Sequence, residues 1–139
     1  MFFYFGALGL AYMFLEIAFL QQFIRYLHHP VYSAGVVIGS FLVFSGLGSH
    51  LASREGFSAK AGIDTVATVI VATGATVYYL SLGLGEVLPR VALPVKMLIC
   101  SLLIAPLAIP MGIPFPLGLA RLAQGRKTLL PWAWGVNGF

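Results

Sequence analysis

Charge is what this sequence has least of. Only 9% of its 139 residues are Asp, Glu, Lys or Arg, against about 25% in a soluble domain. With 60% hydrophobic residues and a mean hydropathy of +0.96, the chain cannot cover itself with a polar surface, and lipid is its natural solvent. The net charge of +4 is small and its positive residues are scattered. No basic stripe with interleaved stacking aromatics exists, so nucleic-acid binding has no support. The single cysteine, Cys100, lies in an apolar run. It has no partner for an intrachain disulfide and no metal-ligand spacing around it, so it reads as a small buried apolar residue. The glycines of Ser45–Ser49 are not a phosphate loop, because the lysine and the preceding strand are missing. No basic region precedes the first apolar stretch, which is also too long for a signal peptide.

What is present is a series of apolar runs, each near the ~20 residues needed to cross a bilayer. The first covers Phe2 to Leu27 and ends at His28-His29-Pro30, since proline disfavours helical geometry in the residue before it. The second covers about Tyr32 to Ala52, followed by a polar connection with Arg54, Glu55 and Lys60. The third covers Ile63 to Leu82 and ends in glycine-rich sequence before Glu86, Pro89 and Arg90. The fourth begins near Leu93 and meets Pro106, Pro110, Pro114 and Pro116. Length, and the absence of sustained two-residue alternation, predict helices and not strands. The expected fold is an all-α polytopic transmembrane bundle of about four spans, the fourth broken by proline. Pro131, Trp132 and Trp134 resemble an interface belt ahead of a further span. The chain begins almost inside a helix and stops where that span starts. It therefore reads as one transmembrane domain, residues 1–139, of a larger protein.

Orientation follows from Lys and Arg in short loops. Arg54, Lys60, Arg121, Arg126 and Lys127 fall on one side, and Arg25, Arg90 and Lys96 on the other. The bias places the N-terminus in the cytoplasm.

Glu16 is the most informative single residue, an acid near the middle of the first span. Such a group is expensive in hydrocarbon and faces protein or trapped water. Its helical neighbours include Gly9, Tyr12, Met13, Phe19, Leu20 and Phe23, with no basic residue among them. It is either a proton, cation or substrate site, or a neutral carboxyl that fixes packing. Gln22, Arg25, Tyr26 and His29 share a polar face at the end of that span. They form either a binding rim or an interfacial anchor. His28, His29 and His50 do not fit a metal site, because His50 lies at the opposite membrane side.

Gly35, Gly39, Gly46 and Ser49 form a stripe of small residues on the second span, expected to be a helix-packing surface. Thr65, Thr68, Ala72, Ala75 and Tyr79 form a weakly polar face on the third. Asp64 sits where a carboxylate complements the helix dipole. Pro110, Pro114 and Pro116 fall in a segment expected to kink or break. Broken helices line substrate paths in transporters, and elsewhere they merely fit neighbouring helices.

Several strings carry a family resemblance: ALGLAYMFLEIAFLQQF (Ala7 to Phe23), HPVYSAGVV (His29 to Val37), FSGLGS (Phe44 to Ser49), MGIPFPLGLARLA (Met111 to Ala123) and PWAWGVNG (Pro131 to Gly138). Together they resemble the integral-membrane region of bacterial spermidine synthase-like proteins. These join membrane helices to an aminopropyltransferase-like or methyltransferase-like domain. The resemblance implies a parent whose soluble nucleotide-binding domain uses S-adenosyl-type substrates. This chain contains no strand, glycine turn and helix of that kind, and Gly6 to Ala11 lies within a span. No catalytic residue, cofactor site or metal site is therefore carried over. Glu16, His29, Pro30, Gly46 to Ser49, Pro114, Pro116, Trp132 and Asn137 fall in the resembling blocks and are site candidates without a role.

The expected function is a non-catalytic membrane module that anchors an enzyme domain or presents a hydrophobic or cationic substrate to it. The expected partners are the lipid bilayer, further helices and that soluble domain. The alternatives are a transporter-like module with Glu16 and the broken helix lining a path, or an oligomerisation unit built on the glycine stripe.

Overall fold

The computed structural model describes residues 2–53, 62–86, 88–125 and 130–137. All regular structure among them is helical: α1 (Phe2–Leu27), α2 (Pro30–Ala52), α3 (Ile63–Leu84), a short 3₁₀ turn (Leu88–Arg90), α4 (Leu93–Met111), α5 (Pro114–Gly125) and α6 (Leu130–Asn137). Among the described residues, four segments are long and apolar enough to cross a membrane: Phe3–Leu27, Pro30–Ala52, Ile63–Leu84 and Leu93–Ala123. The chain is an all-α, multi-pass membrane bundle. Arg54, Glu55, Lys60, Arg126 and Lys127 lie outside the described residues.

The turn between α1 and α2 is built by three residues. His28 takes a left-handed φ of 54°, a conformation that glycine adopts freely and histidine uncommonly. Its N–H bonds the Ile24 carbonyl at 2.9 Å, which closes α1 with the single backbone bond of a left-handed cap. His29 is extended at φ −146° and ψ 116°, as the residue before proline must be. Pro30 then opens α2, where a missing N–H has no consequence. Starting two residues before Tyr32, α2 keeps its first turn tied by Ser33, whose N–H and hydroxyl both donate to the His29 carbonyl.

The spans alternate in direction, and α4 is the central one. Half of the apolar window of the Leu93–Ala123 span is buried (50%), against 33% for α2 and 17% for α1 and for α3. The α4 side chains Cys100, Ile104, Leu107, Ala108 and Met111 pack with Phe19, Phe23, Val37, Phe41 and Val77 in the main core. Burying one of the larger side chains, such as Ile104, Leu107 or Phe41, is worth about 1.5–3 kcal/mol in water. In lipid that difference largely vanishes, and close packing carries the fold instead.

The closest packing joins α2 to α4. A Cβ added at Gly48 would fall on the Ile109 carbonyl, and one added at Gly112 would fall on the Ser45 carbonyl. Only hydrogen fits at either place, so the two backbones touch and gain dispersion and weak Cα–H···O contacts. Ser40 donates to Ser101 at 2.8 Å further along the same interface.

The fourth span is broken as expected, and the break falls at Gly112-Ile113. α4 continues through Pro106 and Pro110, although each removes one i→i−4 bond. The Gly112 N–H bonds the carbonyls of Ala108 and Ile109, and the Ile113 N–H bonds Pro110. Pro114 and Pro116 then occupy the first turn of α5, where helical N–H groups have no intrahelical acceptor. Tyr4 of α1 donates to the Pro114 carbonyl at 2.9 Å. A Cβ at Gly118 would meet the Tyr4 ring at 2.7 Å, so α5 lies directly on the start of α1. α6 covers the same end, with Ala133 packed among Phe5 and Leu122.

Candidate functional site

α1 and α3 run in the same direction and are joined by hydrogen bonds near one end, where Gln22 and Tyr26 reach Ser81. Away from that end, the small residues Ala18, Gly74 and Ala75 leave space between the helices unfilled. A cleft of about 380 Å³ opens between them, walled by Phe19 and Tyr79 and ending at Gln22. This is within the ~300–1,000 Å³ of small-molecule sites, which are mostly apolar with a few placed polar groups. Of the sequence candidates, Gln22 lies in this cleft, and so do Ala75 and Tyr79 from the weakly polar face of the third span.

Gln22 is only 7% exposed, and its orientation is set by two hydroxyls. Tyr26 donates its one hydroxyl proton to the Ser81 carbonyl. Ser81 donates its own to the Tyr78 carbonyl at 2.6 Å. With both protons committed, these oxygens can only accept from Gln22. Its Nε2 therefore faces them, at 2.7 Å from Tyr26 and 3.4 Å from Ser81. The amide carbonyl must point the other way. It accepts nothing from the described residues, and no fully enclosed side-chain polar atom among them lacks a partner. That oxygen is therefore open, and the space Gln22 lines is the cleft.

The polar face predicted for the end of α1 is divided. Gln22 and Tyr26 are buried against α3, whereas Arg25 and His29 are exposed. The His29 ring sits 4.7 Å from that of Tyr32. Arg25 lies in the last turn of α1, where a cation suits the helix dipole.

Glu16 does not line the cleft. It is half-buried, one turn beyond Tyr12, whose hydroxyl shares a 3.0 Å hydrogen bond with Ser45 of α2. The Glu16 carboxyl has no hydrogen bond or ion pair with the described residues. His50 is exposed near the other end of the bundle from His28 and His29, and no three His, Cys, Asp or Glu among the described residues cluster as metal ligands.

The small-residue stripe on α2 faces outward. A Cβ at Gly35, Gly39 or Gly46 would meet nothing within 4 Å, and Ser49 is half-buried. Gly35 and Gly39 border a shallow groove of about 270 Å³ that also touches Ser40 and Ser101. Packing inside the chain uses Gly48, two residues from Gly46 and so on a different face. Pro110 and Pro114 are buried in the body of the bundle and Pro116 is half-buried. On α3, Thr68 bonds back to the Asp64 carbonyl at 2.8 Å, and Asp64 is exposed in the first turn. Trp132 is exposed. The side chains of Trp134 and Asn137, and all of Gly138, lie outside the described residues.

Sequence reasoning missed Ser81 and Gly112, and it included Gly48 within the Gly46 to Ser49 segment without a role. Gly48 and Gly112 stood in quoted motifs with no signal of what each would touch. Ser81 stood in a glycine-rich stretch taken as the end of a span. No family model, curated protein or solved structure matches this chain.

Proposed function

We propose that this bundle is a non-catalytic membrane module that holds a lipid-dissolved substrate for an enzyme domain of the spermidine synthase-like kind. The observation that carries the reading is the cleft between α1 and α3, with an unused hydrogen-bond acceptor at its end. The family resemblance supports it. So does the meeting of two resembling blocks, Phe44 to Ser49 and Met111 to Ala123, across the Gly48 and Gly112 contacts. On this reading the chain sits in a bacterial inner membrane with its N-terminus in the cytoplasm, as the Lys and Arg bias favours. α5 and α6 then lie on the cytoplasmic side, next to a soluble nucleotide-binding domain that uses an S-adenosyl-type donor.

The transporter-like alternative draws on Glu16 and the helix break. The break is less suited to a path than expected, because Gly112 abuts the α2 backbone and the Pro114 carbonyl is occupied by Tyr4.

The test measures transfer from an S-adenosyl donor in membranes that carry the bundle with its enzyme domain. Ala75 is exposed on the cleft wall, so Ala75→Phe fills the cleft without removing a buried group. Transfer to a membrane-dissolved acceptor should fall about tenfold or more, with transfer to a water-soluble acceptor unchanged. Equal rates to both acceptors in the variant would reject the module.

A further inference from the structure

We infer that the α1–α3 cleft binds a neutral single-chain amphiphile whose head donates a hydrogen bond to the Gln22 carbonyl while its hydrocarbon body lies against Phe19, Ala75 and Tyr79. The inference rests on the reading that the cleft holds a ligand, and it narrows which ligand.

Three observations carry it. The first is the Gln22 carbonyl, an acceptor on a side chain more than nine-tenths buried, with its donor side already used by Tyr26 and Ser81. An acceptor left without a donor in an apolar site costs about 1–3 kcal/mol, so a hydroxyl or amide N–H that reaches it is selected over plain hydrocarbon. The second is the composition of the walls. Apart from Gln22 and two tyrosines they are apolar, and no carboxylate is among them. A polyamine or other cation would lose its hydration there without gaining an anion. Arg25 follows Gln22 by one turn on the exposed side of α1 and adds a like charge near the same end. The third is access. Tyr78 and Tyr79 are 53% and 72% exposed, so the cleft opens sideways from the bundle, toward the phase where an alkyl chain dissolves.

The purified chain in lipid nanodiscs tests this with tritiated 1-dodecanol, with dodecane and dodecylamine as competitors and protein-free nanodiscs subtracted. Dodecanol should bind saturably and about tenfold more tightly than dodecane, one good hydrogen bond's worth of preference. Dodecylamine should compete less well than dodecanol. Gln22→Leu should abolish the preference for the alcohol while dodecane binding persists. Ala75→Phe, which leaves the Gln22 network intact, should abolish saturable binding of both. The proposal is overturned if the unaltered chain shows no saturable binding. It is equally overturned if Gln22→Leu keeps the alcohol preference, if dodecylamine outcompetes dodecanol, or if binding survives Ala75→Phe. Mass spectrometry of the chain extracted from native membranes separates the two sources of such a ligand. A stoichiometric monoacyl lipid missing from Ala75→Phe marks a resident membrane lipid, and an empty cleft that still takes dodecanol marks a transient substrate. This binding readout needs no enzyme domain. Intact binding with a failed transfer assay would therefore sink the module and leave the ligand assignment standing.

Discussion

The α2–α4 and α1–α3 interfaces are both built from small residues, yet one is closed and the other open. Between α2 and α4, Gly48 and Gly112 bring backbone onto backbone with no room for a methyl group. Between α1 and α3, Ala18, Gly74 and Ala75 leave about 380 Å³ unfilled, and hydrogen bonds join the helices where Gln22 and Tyr26 reach Ser81. Small side chains permit close approach but do not compel it. The difference lies in what else the helices touch. α4 is packed on several sides, so Gly48 of α2 meets a helix held in place, and Gly112, just past the end of α4, meets α2. α1 and α3 each pack on α4 through Phe19, Phe23 and Val77, and the link from Gln22 and Tyr26 to Ser81 ties them to each other near one end.

The contrast is broken most severely at Gly48. Gly48→Ala or Gly112→Ala forces the α2 and α4 backbones apart, since the obstructing atoms are carbonyls that cannot rotate away. Each should destabilise the bundle by about 3 kcal/mol, read as a lower unfolding midpoint in mild detergent. An unchanged midpoint would show that the interface tolerates separation and is not the rigid half of the molecule.

A smaller effect is expected at the open interface. Tyr26→Phe removes the donor to the Ser81 carbonyl and an acceptor for Gln22, leaving polar groups short of partners at a cost of about 1–3 kcal/mol. Hydrogen exchange at the end of α3 should quicken more than exchange in α4. Uniform quickening would mean that the link stabilises the whole bundle and does not specifically join α1 to α3.

The smallest effect has the opposite sign. Gly35→Ala and Gly39→Ala meet nothing within 4 Å, and alanine is a better helix former than glycine by about 0.5–1 kcal/mol. The isolated chain should be stabilised slightly at these sites. A loss at either would place an unseen neighbour, a further helix or a second copy, on the outward stripe.

Much of this architecture was legible in advance. Phe2 to Leu27 emerged as a helix with the bounds of its apolar run, because no breaker interrupts it. The turn at His28-His29-Pro30 followed from proline sterics acting on a single neighbour. The second span begins two residues earlier than expected and the third ends two residues later, each less than one helical turn. The proline segment was only half legible. Four prolines predict a break, but Pro106 and Pro110 remain inside α4, and the helix stops where Gly112 abuts α2.

The candidate site was harder to see, for a related reason. Spacing put Gln22, Arg25, Tyr26 and His29 together, yet the bundle buried two and exposed two. The same limit applies to Gly35, Gly39 and Gly46, whose regular spacing identifies a face without naming its partner. Glu16 shows it too, since the acid on its helix was plain and the lack of an ion pair with the described residues was not.

Composition alone decided that this chain belongs in lipid and spans it as helices, because in hydrocarbon each backbone must satisfy its own polar groups and the apolar runs have the length to do so. Only tertiary structure decided which glycines touch and where the cleft opens. It also decided that the Gln22 carbonyl is free, since that follows from two hydroxyl protons, one on α1 and one on α3, being spent on backbone carbonyls of α3.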